Sequence, residues 1–200
     1  VKIVQPSVTL EAWIPEPAAI IERAGRTCYR SEHNICPGSA ARFVRMLVER
    51  GHLSVLEHVS ATLRIVSDRG VSHELVRHRI ASFAQESTRY CRYDHGIEVI
   101  EPPGLSDHNR EAWMSAVAKA ERAYLNMLDA DTAPQIARAV LPTCLRTEIV
   151  MTANAREWLH VLELRESKAA HPQMRQVASM MRAELAGWCP ELFAKELSDV

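Results

Sequence analysis

The order of the periodic segments most constrains what this chain can fold into. Residues 59–66 alternate, with Val59, Ala61, Leu63 and Ile65 set against Ser60, Thr62 and Arg64. That period of two marks a half-buried strand. Residues 107–128 repeat instead at helical spacing, carrying Trp113, Val117, Ala120, Tyr124 and Leu128 on one face. Shorter strands are expected at 2–13 around Pro6, and at 87–93, 97–100 and 147–152. Helices are expected at 18–29 behind Pro15 and Pro17, and at 39–50 with Gly51 as its stop. Others follow at 72–78 after the turn Asp68-Arg69-Gly70, and at 134–140, 154–165 and 171–188, the last stopping near Pro190. Strand and helix mix without a regular βαβ rhythm. The expected class is therefore α+β, a partly antiparallel sheet with packed helices, in one domain spanning 1–200.

The bulk properties narrow the function. A formal net charge of −1 provides no global basic field for nucleic acid, so any anion site must be local. No apolar run approaches the roughly 20 residues of a membrane span. Residues Val1 to Gln5 carry no export pattern. The five cysteines are scattered, which fits reduced thiols and a cytoplasmic location. There is no G-x-G-x-x-G turn and no Walker loop, so a dinucleotide would have to bind without a Rossmann turn.

The densest polar stretch is Arg77-His78-Arg79-Ile80-Ala81-Ser82-Phe83-Ala84-Gln85-Glu86-Ser87-Thr88-Arg89-Tyr90. Arginine forks suit phosphate. On a strand through 87–93, Ser87, Arg89 and Cys91 would share one face and cradle a nucleotide phosphate. On residue chemistry alone the plainer reading is a solvated charged loop, because arginines are mostly exposed. Nor do the histidines suggest a metal: His73 and His78 are five apart, about 140° around a helix, and do not converge.

The order of residues in this stretch goes further. Arg77-His78-Arg79, seven residues, then Ser87 and Arg89-Tyr90 resembles the signature motif of the flavin-dependent thymidylate synthases (the ThyX family). The segment from Gly51 to His58, the segment Ala137-Arg138-Ala139-Val140-Leu141-Pro142, Thr152 to Arg156, and Leu164-Arg165 resemble further blocks of that family in the same order. The resemblance covers about residues 40 to 190.

It implies reductive methylation of dUMP to dTMP, with methylene-tetrahydrofolate as carbon donor, FAD as hydride carrier and NADPH as reductant. It further implies a ThyX-like fold and a homotetramer with active sites between subunits. FAD would be contacted by His52, Ser54, Arg77, His78, Arg79, Gln85, Asn154, Arg156 and His160. The nucleotide would be met by Glu74, Arg77, Gln85, Glu86, Ser87, Thr88, Arg89, Arg138 and Arg165. Arg165 would carry the catalytic role by favouring the N3-ionised uracil. No metal and no cysteine nucleophile are implied. Glu74 stands where the family is expected to have glutamine, which leaves a related nucleotide such as dCMP as a second candidate substrate. A non-catalytic nucleotide- or flavin-binding relative and a nucleic-acid module built on the Arg77–Arg92 cluster are competing readings of the same residues. Locally, Asn154 reads equally well as a helix cap, and Arg165 as an arginine at the edge of the apolar face of Trp158, Val161 and Leu162.

Overall fold

A computed structural model describes residues 1–194. Among these, six strands run in chain order as β1 (Lys2–Val4), β2 (Ser7–Trp13), β3 (Ser60–Asp68), β4 (Ala81–Gln85), β5 (Glu98–Ile100) and β6 (Arg146–Asn154). Eight α-helices accompany them among the described residues: α1 (Pro17–Thr27), α2 (Ser39–Glu49), α3 (Arg69–Leu75), α4 (Asp107–Asp129), α5 (Pro134–Ala137), α6 (Ala155–Glu166), α7 (Pro172–Trp188) and α8 (Pro190–Phe193). One sheet is antiparallel with order β2-β3-β6-β4, and a small parallel sheet joins β1 to β5. This is the expected α+β class.

The chain divides into two compact units. The first comprises Val1–Ser7, Ile65–Arg77 and Ala84–Ile149. Within it β1 and β5 pair in the register Lys2↔Glu98, Ile3↔Val99 and Val4↔Ile100. Helix α4 is capped by Ser106, whose hydroxyl accepts from Asn109 N. It turns Val117, Tyr124 and Leu128 inward, against Ile97, Val99, Cys144 and Leu145 in one cluster and Ala137 in another. Helix α3 begins three residues earlier than expected. Asp68 accepts from Val71 N at 2.7 Å, so Arg69 and Gly70 form the first helical turn behind an N-cap, not a free turn.

The second unit holds Val8–Arg64, His78–Phe83 and the described residues from Val150 on. Helices α1 and α2 approach closely at Gly25, where a Cβ would fall 2.6 Å from the Phe43 ring. Glu22, almost fully buried, accepts from Arg26 Nε at 2.8 Å and from the Ser39 hydroxyl at 2.8 Å. Gly51 ends α2 in the left-handed region at φ +69, as the sequence suggests. Helix α6 packs Trp158, Val161 and Leu162 inward, and Trp158 Nε1 donates to Ala61 O at 3.1 Å. Helix α7 supplies Met174, Val177, Ala178, Met181 and Leu185 to the same unit's core.

One expected element is absent. The strand lies at Ala81–Gln85, and residues 87–93 are not a strand. The Ser87 carbonyl accepts from Tyr90 N and Cys91 N, and its hydroxyl accepts from Arg89 N at 3.3 Å. Serine offers the backbone local bonds that compete with a ladder, so the chain turns. Ser87, Arg89 and Cys91 therefore do not share a strand face.

Candidate functional site

In the second unit the histidine of the Arg77-His78-Arg79 triplet is sunk, not solvated. His78 is only 4% exposed, while Arg79 and Ile80 beside it are exposed. Arg165, in the last turn of α6, donates from Nε to His78 Nε2 at 3.0 Å. On the opposite ring edge, Glu157 Oε1 lies 3.3 Å from His78 Nδ1. His160 meets the same imidazole edge-on, with ring centroids 5.7 Å apart. Burial, then the Arg165 charge, then His160, lower the His78 pKa from 6.5 to about 4. Burial pushes the Glu157 carboxyl up. At neutral pH the imidazole is therefore uncharged, and its contact with Glu157 is not an ion pair of full charges. An Nε2 that accepts from Arg165 must hold a lone pair, so the ring proton belongs on Nδ1, facing Glu157.

Asn154 caps α6, its side-chain oxygen accepting from Glu157 N at 2.9 Å. Asn154, Arg156 and His160 line one pocket of about 370 Å³ with Leu53, Glu57, Ile80, Glu157, Leu159 and Glu163. Arg156 is paired with Glu57 at 2.6 Å in an exposed bridge. His52 and Ser54 line a different pocket of about 320 Å³, walled by Tyr29, Phe43 and Arg50 among others. Of the residues expected at FAD in this unit, His52 and Ser54 thus line one pocket, Asn154, Arg156 and His160 another, and His78 and Arg79 line neither.

In the first unit Gln85, at the end of β4, donates to the Ser72 hydroxyl at 2.8 Å and to Thr147 Oγ1 at 3.1 Å. Arg69 also reaches Thr147 Oγ1, at 3.2 Å. The Glu86 carboxylate is held at both oxygens, by the Tyr93 hydroxyl at 2.6 Å and by Arg146 at 2.7 Å. Burial and that Glu86 bond raise the Tyr93 pKa, so the phenol keeps its proton. Arg138 donates to the buried Thr88 hydroxyl at 3.2 Å. Arg89 stacks on Tyr90, 5.4 Å from the ring centroid. Glu74 lies in α3, with its carbonyl accepting from Arg77 N at 3.3 Å, and Arg77 itself is exposed. The structure thus joins Arg138 to Thr88 and Ser87 to Arg89, and anchors Gln85 and Glu86 to residues outside the motif.

Several of those partners are not apparent from the sequence. Glu157 reads there only as the glutamate of a capping box, yet its carboxylate goes to His78. Glu57, Arg69, Ser72, Tyr93, Thr147 and Arg146 carry no motif of their own. The one available signal is that Glu57 sits within the 51–58 block that carries the resemblance. Cys144 and Cys189 are buried, and burial pushes both thiols up, that of Cys189 to about 12. Neither is primed as a thiolate.

The family model described as Thy1, thymidylate synthase complementing protein, matches residues 9–191. A flavin-dependent thymidylate synthase of Mycobacterium sp. (strain JLS) is 35% identical, with the match covering 96% of this chain and 84% of the relative. One from Mycolicibacterium gilvum is 38% identical over 88% of this chain and 78% of the relative. Among solved structures, a UMP/dUMP methylase, PolB from Streptomyces cacaoi, bound with 5-Br dUMP, superposes with a TM-score of 0.84 at 27% identity. That match covers 96% of this chain and 95% of that one.

Proposed function

This chain belongs to the Thy1 family of thymidylate synthase complementing proteins and is an enzyme of the flavin-dependent thymidylate synthase type; we propose that it methylates dUMP to dTMP. Methylene-tetrahydrofolate would give the carbon, FAD would carry the hydride and NADPH would be the reductant. The reading takes 1–200 as one functional domain, working as a cytoplasmic homotetramer with sites between subunits. The exposed apolar side chains Ile80 and Tyr90, 71% and 76% exposed within the motif, support contact with another copy.

The observation that carries the reading is the Arg165–His78 hydrogen bond. It ties the motif histidine expected at the flavin to the arginine expected at the uracil. A guanidinium held by a buried neutral acceptor is pre-set in position. Beside the uracil it would stabilise the N3-ionised form, a contribution on the order of 3 kcal/mol in a dry site.

The side chains fit a flavin dinucleotide, which needs cations at its diphosphate and donors and acceptors at its ring edge. Arg77, Arg79 and Arg156 are the cations, and Asn154, His160, His52, Ser54 and Gln85 are the polar edge groups, with the buried His78 contributing from behind through Arg165. When bound, FAD supplies the hydride chemistry that no side chain here can perform. For the nucleotide, the turn at Ser87 and Arg89 and the Thr88-anchored Arg138 would grip the phosphate, while Glu74 and Arg77 complete the set. Glu86, with both oxygens engaged, would act by holding that turn against Arg146 and Tyr93.

The test is spectroscopic. Purified protein mixed with FAD should take up the flavin. Its visible bands should then bleach with NADPH, and faster with dUMP present. UMP and dCMP run alongside will define the nucleotide. A well-folded chain that takes up no flavin would end this reading.

A further inference from the structure

We propose that Glu157 is a positioning residue, acting through His78 on Arg165. Its carboxylate sits 3.3 Å from His78 Nδ1, while Arg165 Nε donates to Nε2 of the same ring at 3.0 Å. All three groups sit in one unit, with Glu157 and His78 buried and Arg165 half-buried. A neutral imidazole carries its single proton on one nitrogen or the other. A carboxylate beside Nδ1 draws the proton there, and Nε2 is left as the acceptor that Arg165 requires. With the proton on Nε2, two N–H groups would face each other and Arg165 would lose its hydrogen bond to His78. The carboxylate therefore selects the tautomer, and the tautomer holds the guanidinium. Local architecture fixes Glu157 in turn: Asn154 accepts from its backbone N–H at 2.9 Å, setting the first turn of α6 that carries the carboxylate toward His78. This role rests on the proposed function for its consequence at the nucleotide, but not for its consequence at the histidine.

The experiment compares the full-length protein with Glu157→Leu and Glu157→Gln. The ring nitrogens of His78 are read by nitrogen NMR in the protein without added ligand, with a His78→Gln variant assigning the signals. The wild type should show the proton on Nδ1. Leucine, which has no acceptor, should bring in the Nε2-protonated form. Glutamine, which retains a carbonyl oxygen, should keep most of the Nδ1 form. Turnover and dUMP affinity are measured on the same proteins. Leucine should lower kcat roughly tenfold, the scale of one lost charge-supported hydrogen bond, with glutamine recovering most of it. A purely structural glutamate would move thermal stability in both variants and leave the tautomer alone. A wild-type His78 protonated on Nε2, or a Glu157→Leu protein with unchanged tautomer and kcat, overturns the proposal. A wild type that makes no dTMP, with the tautomer still switching, overturns the function reading and leaves the Glu157–His78 relation standing.

Discussion

Arg165 Nε donates to His78 Nε2 at 3.0 Å, and the receiving imidazole is 4% exposed. A motif that looks from its charges like a solvated loop thus has its histidine in the core, serving as the acceptor for an arginine 87 positions later. Replacing Arg165 with alanine should cut dTMP formation about 100-fold or more, the scale of a lost electrostatic stabiliser. The His78 pKa should rise, because the Arg165 charge is one cause of its depression. It should stay below 6.5, because burial is the larger cause. A histidine titration followed by NMR reads that second effect without any substrate.

The same histidine makes stability depend on pH in a defined direction. Folded His78 titrates near 4, against an ordinary 6.5. Between those values the unfolded chain binds a proton that the folded chain refuses, so folding weakens as pH falls from 6.5 toward 4. The ceiling on this contribution is about 3 kcal/mol. Urea midpoints for the wild type should drop across that window, and those of His78→Gln should drop less. Parallel slopes for the two proteins would contradict the assignment.

Asn154 separates two roles by two substitutions. Alanine removes the cap on Glu157 N and should cost about 1 kcal/mol of stability. Aspartate keeps the cap while replacing the amide with a charge. If Asn154 also meets the flavin, as proposed, Asn154→Asp should keep the wild-type melting temperature and still weaken FAD binding. Unchanged FAD affinity in that variant would leave Asn154 as a cap only.

Glu22 is the structural counterpart, far in function from the motif. Its buried carboxylate receives Arg26 and Ser39. Alanine there strands Arg26, which is itself 13% exposed, and should cost about 3 kcal/mol or more in urea unfolding. Ser39→Ala removes the neutral donor to Glu22 and the acceptor of Cys36 N, and should cost about 1–2 kcal/mol.

The helices and the long strands are legible in the sequence because one face of each is buried. Trp113 to Leu128 and Val59 to Ile65 have their period written in residue type. The segment at 81–93 is not legible, for two reasons. Ala81-Ser82-Phe83-Ala84-Gln85 gives weak alternation, with two alanines that tolerate either environment. Beyond it, Ser87 decides between ladder and turn by hydrogen bonds that no periodicity encodes. The start of α3 is obscured for a related reason, since Asp68 reads both as a turn residue and as a cap. At the site, the motif residues are legible through their spacing and the resemblance it carries. Their partners are not: Glu157 comes to His78 from an element 79 residues away in sequence, and such pairing is visible only after folding. The charge of Glu86 suggests a ligand, whereas its oxygens are spent on Tyr93 and Arg146.

The most direct test of the central claim is product formation. Purified protein is incubated with FAD, NADPH, dUMP and methylene-tetrahydrofolate labelled isotopically in the methylene, and the nucleotides are analysed by mass spectrometry. The account predicts dTMP carrying the label in its methyl group, lost when the flavin, the folate or dUMP is omitted and strongly reduced in Arg165→Ala. Folded, flavin-loaded protein that leaves dUMP unmethylated, or that methylates only another nucleotide, would contradict it.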